Sequence, residues 1–379
     1  MIQEDQILDV IADEQNDYYS NDDLYNITSW GADLSFRELI SQYEEGALLK
    51  PELQRHYVWD KPEASRFIDS VLLGLPIPSI FLAKTVDERM LIIDGYQRIM
   101  TVYDFVRGIF TGDGKVFKLS NSEKINKRWR GKAFSELTES DQRKIRGTTI
   151  HAIIFVQKQP KDDDTSIYQV FERINTGGRT LLPQEIRNCV YQGSFNSLII
   201  ELNTNLKWRN LYGLPKPDSR MRYMEFILRF FALRSHKLLS SKEPGRISLK
   251  KYLNEFMGSS DVQQPTELDF MQKRFVQVFT LIHDRFGKEA FHNISPREPE
   301  KYIKKFNPTI FDSIAISTCI AVERGVADVG GQQPYKDLRL QLLHNDEYQD
   351  LIKVRTTDID RIQKRVFLAL RHLYKLDYE

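Results

Sequence analysis

Hydrophobic and polar residues alternate at two different spacings along the first half of the chain. Short β-branched or apolar runs predict buried strands, and apolar residues that recur every three or four positions predict helices. The strands are expected at Ser79 to Lys84, Met90 to Ile93 and Thr148 to Gln157. The helices are expected after Ser35, over Pro62 to Leu73, from Ile99 to Val106 and over Ser166 to Ile174. This order predicts a small sheet with helices packed beside it.

The second half of the chain shows only the helical spacing. Beyond about residue 195 we expect helices and loops whose apolar residues form a core and no cofactor site. The predicted helices are Met221 to Leu233, Leu249 to Met257, Glu267 to Phe286, Lys301 to Arg324 and Thr357 to Tyr374. The expected fold class is therefore α+β, with a leader over residues 1–30, a sheet domain over 31–160 and an all-α helical domain over 161–379.

Charge is distributed unevenly, although the chain of 379 residues has a formal net charge of only +1. Residues 1–36 contain nine acidic residues and no lysine or arginine, so the remainder holds 54 basic against 44 acidic residues, an excess of 10. Such an excess is compatible with a nucleic-acid partner. We interpret the acidic leader either as a surface strap or as a segment that competes with nucleic acid for a basic groove.

Cysteine usage and hydropathy indicate a cytoplasmic protein with no membrane partner. Cys189 and Cys319 are isolated in apolar surroundings, so we expect buried core residues and no disulfide. No apolar run approaches the roughly 20 residues of a membrane span, and the acidic start lacks the layout of a signal peptide. The cysteines and histidines do not have zinc-site spacing.

Polar residues concentrate where the Met90 to Ile93 strand meets the following helix. Asp94 and Gly95 end the strand, and Gln97, Arg98 and Thr101 lie on the first turns of the helix. Free backbone N–H groups at a helix start attract anions, and an arginine adds a planar fork suited to phosphate. The alternative is simpler, because an Asp can cap the helix while Gln and Arg are solvated. From the junction alone both interpretations stay open.

Two further polar motifs flank this junction. One is Gln54-Arg55-His56-Tyr57-Val58-Trp59, and the other runs from Phe171 to Gly178 and continues with Gln184, Glu185, Arg187 and Asn188. With the Gly74 to Leu82 segment and Asp94-Gly95-Tyr96-Gln97-Arg98, they resemble in order the GmrSD-type N-terminal domain family, whose hallmark is D-G-Q-Q-R. The resemblance covers roughly residues 31 to 195. Tyr96 stands where the commonest family motif has Gln, which puts contacts from that position in doubt.

The resemblance implies a ParB/sulfiredoxin-like fold and a nucleotide site at the D-G-x-Q-R turn. It implies that Asp94, Gln97 and Arg98 act in hydrolysis of a nucleoside triphosphate, with Asp94 holding a divalent metal ion such as Mg²⁺. The nucleotide-binding residues that it implies are Gln54, Arg55, Tyr57, Trp59, Gly95, Tyr96, Thr101, Arg173, Asn175, Thr176, Gly178, Glu185 and Asn188. Those of the group that lie within residues 161–195 are expected to line the pocket of the D-G-x-Q-R turn.

Basic runs suggest where DNA would bind. Lys115 to Arg146 carries ten basic against four acidic residues and includes Trp129, which can stack on a base. Lys216 to Lys251 carries ten basic against three acidic residues, with Arg229 and Arg234 prominent. The residues singled out for DNA are Lys127, Arg128, Arg130, Arg220 and Arg222. A solvated charged face is the competing interpretation of both runs.

The resemblance implies a role in prokaryotic anti-phage defence of the restriction type. We expect a protein that binds and hydrolyses a nucleoside triphosphate and engages DNA, whether modified or not. The C-terminal half lacks the paired His and Asn residues of an HNH nuclease, so the chain acts either alone or as the regulatory partner of a separate nuclease subunit, and the absence of a P-loop motif excludes a P-loop enzyme. The alternatives are a non-catalytic DNA-binding or sensor subunit and a metal-dependent DNA nickase. A homo-oligomer is left open.

Overall fold

The protein is described by a computed structural model over residues 27–50, 59–85, 87–157, 165–174, 182–191, 193–214, 223–299, 301–325 and 332–378. The described residues form two compact units. The sheet unit comprises those between 27 and 174 together with 188–190, and the helical unit comprises 182–187 together with those between 191 and 378.

The sheet unit contains the strands and helices that the sequence predicts near the Asp94 junction. In chain order its elements are β1 (Ile27–Ser35), α1 (Phe36–Glu44), β2 (Leu48–Leu49), α2 (Lys61–Leu73), β3 (Ile80–Lys84), β4 (Met90–Asp94), α3 (Tyr96–Arg107), β5 (Ile109–Phe110), β6 (Lys115–Val116), α4 (Glu139–Gly147), β7 (Thr149–Gln157) and α5 (Thr165–Ile174). Helix starts follow local sequence signals, since Ser35 caps α1 and Asp60 with Glu63 forms a capping box at α2.

A five-stranded mixed sheet orders these elements as β1-β7-β3-β4-β2. β7 pairs antiparallel with β1 and parallel with β3, and β4 pairs antiparallel with β3 and parallel with β2. The β3–β4 ladder has an irregularity between Phe81 and Leu82, close to where β4 ends. The sheet thus fixes the end of β4 beside the start of β3.

Helix α3 packs one apolar face into the core of the sheet unit. Ile99, Val102 and Phe105 are fully buried at helical spacing, and they join a core with β-strand residues such as Ile80 and Ile92. The full burial of that face anchors α3 along its length, so the direction in which its first turn points is set by the core.

The helical unit consists mainly of helices and a small hairpin. Its elements are α6 (Pro183–Val190), α7 (Ser194–Leu202), α8 (Leu206–Tyr212), α9 (Met224–Leu233), α10 (His236–Leu239), α11 (Leu249–Gly258), α12 (Pro265–Phe286), β8 (His292–Ile294), β9 (Tyr302–Phe306), α13 (Pro308–Glu323), α14 (Gln332–Leu343), α15 (Asp346–Leu351) and α16 (Ile359–Tyr374). The last three residues of α6 group with the sheet unit. Among the described helices none is both long and apolar enough to cross a bilayer.

The α+β fold class predicted from the sequence is confirmed, with two corrections. The helical unit is not purely α, because β8 and β9 pair antiparallel, and the helix predicted from Lys301 starts only at Pro308. Tyr302 to Phe306 is a strand because the segment pairs with β8 and because Asn307 and Pro308 provide the helix start. Strand β1 was not predicted, and its first residues fall in the segment assigned to the leader.

The two cysteines behave as the sequence indicates. Cys189 and Cys319 are both buried free thiols, and burial raises the pKa of Cys319 to about 12. A thiol with so high a pKa stays protonated at neutral pH and is a poor nucleophile. Both residues are therefore packing residues of their helices.

Candidate functional site

The Asp94 turn is built on a glycine with a left-handed backbone. Gly95 has φ of 100° and ends β4. A Cβ atom at this position would lie within 2.9 Å of the Ile80 Cβ atom and would also clash with its Cγ2 atom. Any larger residue would thus have to push on a fully buried core side chain. The glycine at position 95 is therefore required by the geometry of the strand-to-helix turn.

Arg98 fixes the turn from inside. Its Nη1 atom donates to the carbonyl oxygens of Pro78 at 2.7 Å and Ser79 at 2.9 Å, and its Nη2 atom donates to Asp94 Oδ2 at 2.5 Å. The Arg98 side chain is 12 % exposed whereas that of Asp94 is 45 % exposed. The guanidinium thus holds a solvent-accessible carboxylate in one orientation against the loop that leads into β3.

Gln97 and Thr101 line the adjacent turn of α3. Gln97 Oε1 accepts a hydrogen bond from the backbone N–H of Trp59 at 3.4 Å, and Thr101 Oγ1 donates to the Gln97 carbonyl oxygen at 2.7 Å. Trp59 itself is half-buried against Phe67, with ring centroids 5.6 Å apart and edge to face. Gln97 therefore joins the start of α2 to the start of α3, and Thr101 is fully buried beneath it.

Tyr96 points into the core. Its side chain is buried, and burial with the nearby Tyr43 and Asp104 raises its pKa well above the usual value for tyrosine. Asp104, one of those neighbours, accepts hydrogen bonds from the backbone N–H of Thr111 at 2.7 Å and from the Thr111 hydroxyl at 2.8 Å. Burial raises the pKa of Asp104, and the Thr111 hydrogen bonds oppose that change. At position 96 the residue thus contributes packing beneath the turn.

The turn combines a carboxylate with the open start of a helix. Gly95 occupies the N-cap of α3 and provides no side-chain acceptor for the first-turn N–H groups. Such a start carries positive charge, and the Asp94 carboxylate beside it can hold a cation or a water molecule. No group of three or more metal-ligating side chains occurs among the described residues. The arrangement can therefore accommodate a polyanion beside the Asp94 carboxylate.

Several residues predicted for the site lie outside the described residues. They are Gln54, Arg55, Tyr57, Asn175, Thr176 and Gly178, together with Arg220 and Arg222 of the predicted DNA surface. Arg173 is described and lies exposed near the end of α5. Within the sheet unit the structure thus brings together Trp59, Asp94, Gln97, Arg98 and Thr101.

The Q-E-x-R-N motif forms the first turns of α6. Glu185 is buried and accepts a hydrogen bond from the Leu182 N–H at 2.6 Å. Arg187 is fully buried, donates to Asn254 Oδ1 at 2.7 Å and to Gln184 Oε1 at 3.3 Å, and burial lowers its pKa to about 10. Asn188 is also buried. Arg187 belongs to the motif that the resemblance assigns to the pocket of the Asp94 turn, and that assignment stays a prediction.

The basic run before α4 differs from the predicted stacking surface. Trp129 is buried, and its indole N–H donates to Asp69 Oδ1 at 2.6 Å, so the prediction that it stacks on a base is wrong. Lys127 is exposed, whereas the Arg130 guanidinium donates to the Ile125 carbonyl oxygen at 2.9 Å. Arg128 is exposed and pairs with Asp141 at 2.8 Å. Of the three residues in this run that were predicted for DNA, Lys127 and Arg128 therefore remain the accessible cations.

The two prominent arginines of the second basic run that the structure describes are internal. Arg229 is buried and pairs through two nitrogens with Asp312, at 3.2 and 2.6 Å, and Arg365 also reaches Asp312 at 3.2 Å. Arg234 is largely buried and pairs with Glu323 at 3.2 Å. The interpretation of Arg229 and Arg234 as a DNA-facing surface is thus wrong, because both serve buried or partly buried ion pairs.

Residues 36–192 match the family model described as the GmrSD restriction endonuclease, N-terminal domain. The match spans the Asp94 turn and the start of α6, and it confirms the resemblance that the ordered motifs predict. No curated protein matches the chain. The matching domain is that of a restriction endonuclease, so the match indicates a family that acts in restriction and anti-phage defence.

Proposed function

We propose that this protein, whose residues 36–192 match the N-terminal domain of the GmrSD restriction endonuclease, is a restriction-type defence protein that binds and hydrolyses a nucleoside triphosphate at the Asp94 turn. The observation that carries the proposal is the turn itself. An accessible carboxylate is held rigidly by Arg98 beside an uncapped helix start, inside the matched segment. Cytoplasmic action on DNA is part of the same proposal.

Phosphoryl transfer needs little covalent chemistry from the protein. Its requirements are neutralised phosphate oxygens and an oriented water molecule. In the proposed reaction, an oxygen of water bonds to a phosphorus atom of the triphosphate, the bridging P–O bond breaks, the leaving phosphate group takes the electron pair, and the proton of the water passes to the solvent. The N–H groups at the start of α3 would bind phosphate oxygens, and Asp94 with Gln97 would orient the water. Arg98 would act by keeping Asp94 in place, since its nitrogens already donate to protein oxygens.

A divalent cation such as Mg²⁺ fits this donor set. Asp94 Oδ2 is bound to Arg98, and its Oδ1 atom accepts no hydrogen bond within the part of the chain that is described. Mg²⁺ is commonly held by one or two carboxylates plus substrate phosphates, so one carboxylate oxygen is sufficient on the protein side. When bound, the ion would neutralise charge on the phosphate oxygens. The residue that would hold it is Asp94.

Phosphate release from ATP, GTP, CTP and UTP, with and without DNA, tests the proposal. We expect the Asp94→Asn variant to lose at least about 100-fold in rate, since the substitution removes the charge that orients water and metal. Asp87→Asn is the matched control, because Asp87 is an exposed carboxylate in the β3–β4 connection that pairs with Arg89. Its rate should stay within about twofold of wild type, as expected for an exposed surface pair. Equal rates of phosphate release in Asp94→Asn and wild type would show that Asp94 has no role in hydrolysis.

A non-catalytic sensor is the second candidate, favoured by the contacts of Arg98. The Nη atoms of Arg98 donate to Pro78, Ser79 and Asp94, which suits a rigid binding surface as well as a catalytic one. A sensor would shift DNA in a gel with steep salt dependence and release no phosphate. A nickase, the third class, would convert supercoiled plasmid to open circles with metal and no nucleotide. These three assays separate the three functions.

DNA engagement by the sheet unit is proposed for the accessible cations of the first basic run. Lys127 is exposed and Arg128 is more than half exposed beside Asp141. In a Lys127→Gln/Arg128→Gln variant, the slope of log affinity for duplex DNA against log salt should become shallower by about 2, because each phosphate contact contributes about 0.9. An unchanged slope would move DNA binding to another surface. A separate nuclease subunit stays part of the proposal, and copurification from the native host tests it.

A further inference from the structure

Helix α12 of the helical unit is buried along one side and exposed along the other. Met271, Phe275 and Phe279 lie in the core. On the exposed side, Phe270 and Val276 each keep 41 % of their surface accessible. Since the exposed side of a surface helix is ordinarily polar, these two positions depart from the usual pattern.

A groove of about 440 Å³ runs beside the exposed side of α12. Val276 and Leu281 of α12 line it on one side, and Val322 near the end of α13 lines it on the other. Val276 thus belongs both to the exposed side of the helix and to the groove. Such an apolar surface is suited to contact with another polypeptide.

Polar residues follow the middle of this exposed side in a symmetric order, which we call the α12 stripe. Lys273 and Asp284 stand at its two ends, and Gln277 and Thr280 lie between them. At about 100° per residue, these four positions fall within a sector of about 60° on the helix surface. The order of residue types along the stripe is therefore the same from either end, apart from the sign of the charge.

The two charges of the α12 stripe already have solvent-accessible partners within the chain. Lys273 pairs with Asp269 at 2.6 Å. Asp284 pairs with Lys207 and with His283, the latter at 2.9 Å. Ion pairs in contact with solvent are weak, so they are exchanged or shared at little cost in free energy. Lys273 and Asp284 are therefore available to a further charged partner.

We propose that the α12 stripe binds the α12 stripe of a second copy of this chain, with the two helices antiparallel. A twofold axis between Gln277 and Thr280 places Lys273 of each copy opposite Asp284 of the other, so the contact is self-complementary. A parallel arrangement would instead place like charges together, which is unfavourable. The charges thus set the orientation, and covering the exposed Val276 beside the stripe contributes hydrophobic free energy. The inference stands independently of the Asp94 turn.

Sedimentation velocity of the full chain over about 1–100 μM tests for the dimer, because a small interface built on one helix is expected to form in the micromolar range. Lys273→Glu and Asp284→Lys each place like charges at both symmetric contacts, and each should weaken the dimer about tenfold or more. An equimolar mixture of the two variants should dimerise as strongly as wild type, because each changed side chain then faces an opposite charge. Recovery in the mixture distinguishes the α12 contact from a dimer formed through another surface.

Lys237→Glu is the matched control, because Lys237 is exposed on α10 and forms no ion pair with a described residue. It makes the same change of charge away from the stripe and should dimerise as wild type does. The inference is overturned if wild type stays monomeric over the whole range, or if both single variants dimerise as the control does. It is also overturned if the mixture associates as weakly as its two components.

Val276→Asp is a second variant that leaves the charged ends of the stripe unchanged. Val276 is exposed, so the substitution spares the core, and the new carboxylate would have to lose water in the contact. Should Asp284→Lys unfold because it opposes Lys207, Val276→Asp takes its place beside Lys273→Glu, and dimers as strong as wild type in both would overturn the inference. Phosphate release per chain should be unchanged in these variants, so failure here leaves the Asp94 proposal untouched.

Discussion

At the scale of single residues, Gly95 is the position least open to substitution in the turn. The Gly95→Ala variant must adopt φ near 100° and place its methyl group against Ile80. We expect the free energy of unfolding to fall by about 2–5 kcal/mol, combining the left-handed backbone strain with overpacking of the core. Chemical denaturation of purified variant and wild type measures this difference.

Gly108 is a control on the same helix. It ends α3 with φ of 84°, and a Cβ atom there would meet nothing within 4 Å. Gly108→Ala should therefore show the backbone strain alone, a loss of about 1 kcal/mol. If both variants lose the same free energy, the contact with Ile80 does not constrain the turn.

Asp104 makes the free energy of unfolding depend on pH. Burial raises its pKa in the folded state, so between the usual value for aspartate and the raised one the folded protein holds the proton more tightly than the unfolded chain. The contribution of Asp104 to stability therefore falls as the pH rises through that window. We expect the destabilisation caused by Asp104→Asn to be largest at low pH and to shrink toward neutral pH.

Denaturant unfolding of wild type and Asp104→Asn at several pH values from about 4 to 7 measures this trend. The difference between the two proteins is the relevant quantity, because other carboxylates titrate equally in both. Thr111→Val, which removes the hydroxyl that donates to Asp104, should raise the pKa of the carboxyl further and steepen the dependence. A difference that is flat with pH would show that folding does not raise the pKa of Asp104.

The sequence predicted which residues form the Asp94 turn. It did not predict which aromatic and charged side chains elsewhere are buried. The Asp94 to Thr101 spacing predicted the junction of β4 and α3, which the structure contains. By contrast, Trp129 and Arg229 were interpreted as surface residues, and both are buried. Their partners are Asp69 and Asp312, which are 60 and 83 positions away. When the hydrogen-bonding partner of a polar side chain lies far away along the chain, the local pattern of apolar and polar residues does not reveal that the side chain is buried.

At the scale of elements, the helices and strands with a regular apolar period were predicted well. The strands that depend on pairing with a distant strand were not predicted. β4 and α2 lie within one residue of their predicted positions, and α3 begins three residues before the apolar period that predicted it. β1 contains Thr28, Ser29 and Gly31 and has no marked alternation, yet it pairs with β7 over nine residues. Its strand form comes from that distant partner. The β8–β9 hairpin escaped prediction for the same reason.

The buried ion cluster that joins α9, α13 and α16 supports a prediction about stability. Asp312 is fully buried and bonds to both Arg229 and Arg365. Asp312→Asn removes the shared negative charge and leaves two arginines close together in the core. We expect a loss of about 3–5 kcal/mol in the free energy of unfolding, measured by denaturant titration.

Asp284→Asn is the comparison for this cluster. Asp284 pairs with Lys207 and His283 on the surface of α12 and is half exposed. Solvent-exposed pairs contribute little, so its loss should stay below about 1 kcal/mol. If the two substitutions destabilise the protein equally, the cluster of Asp312 does not hold the three helices together.

At the scale of the whole molecule, the acidic leader predicts an effect on DNA binding. Residues 1–36 hold nine acidic residues and no basic ones, and the rest of the chain has an excess of 10 positive charges. We expect a variant with the acidic residues of positions 1–26 changed to Asn or Gln to bind duplex DNA several-fold more tightly at low salt, with the difference vanishing at high salt. Anisotropy titrations measure it, and equal affinities would favour the surface-strap interpretation.

The strand order has a consequence for how the chain is made. β7 lies between β1 and β3, so the strand synthesised last separates two that are synthesised earlier. Ser35 ends β1 and Thr149 begins β7, which is 114 positions later. At about 5–20 residues per second, the ribosome needs roughly 6 to 23 seconds to cover that distance. During translation β1 therefore has no β7 to pair with for this time. Until β7 is synthesised, the unpaired edge of β1 in the nascent chain is a segment that chaperones can bind.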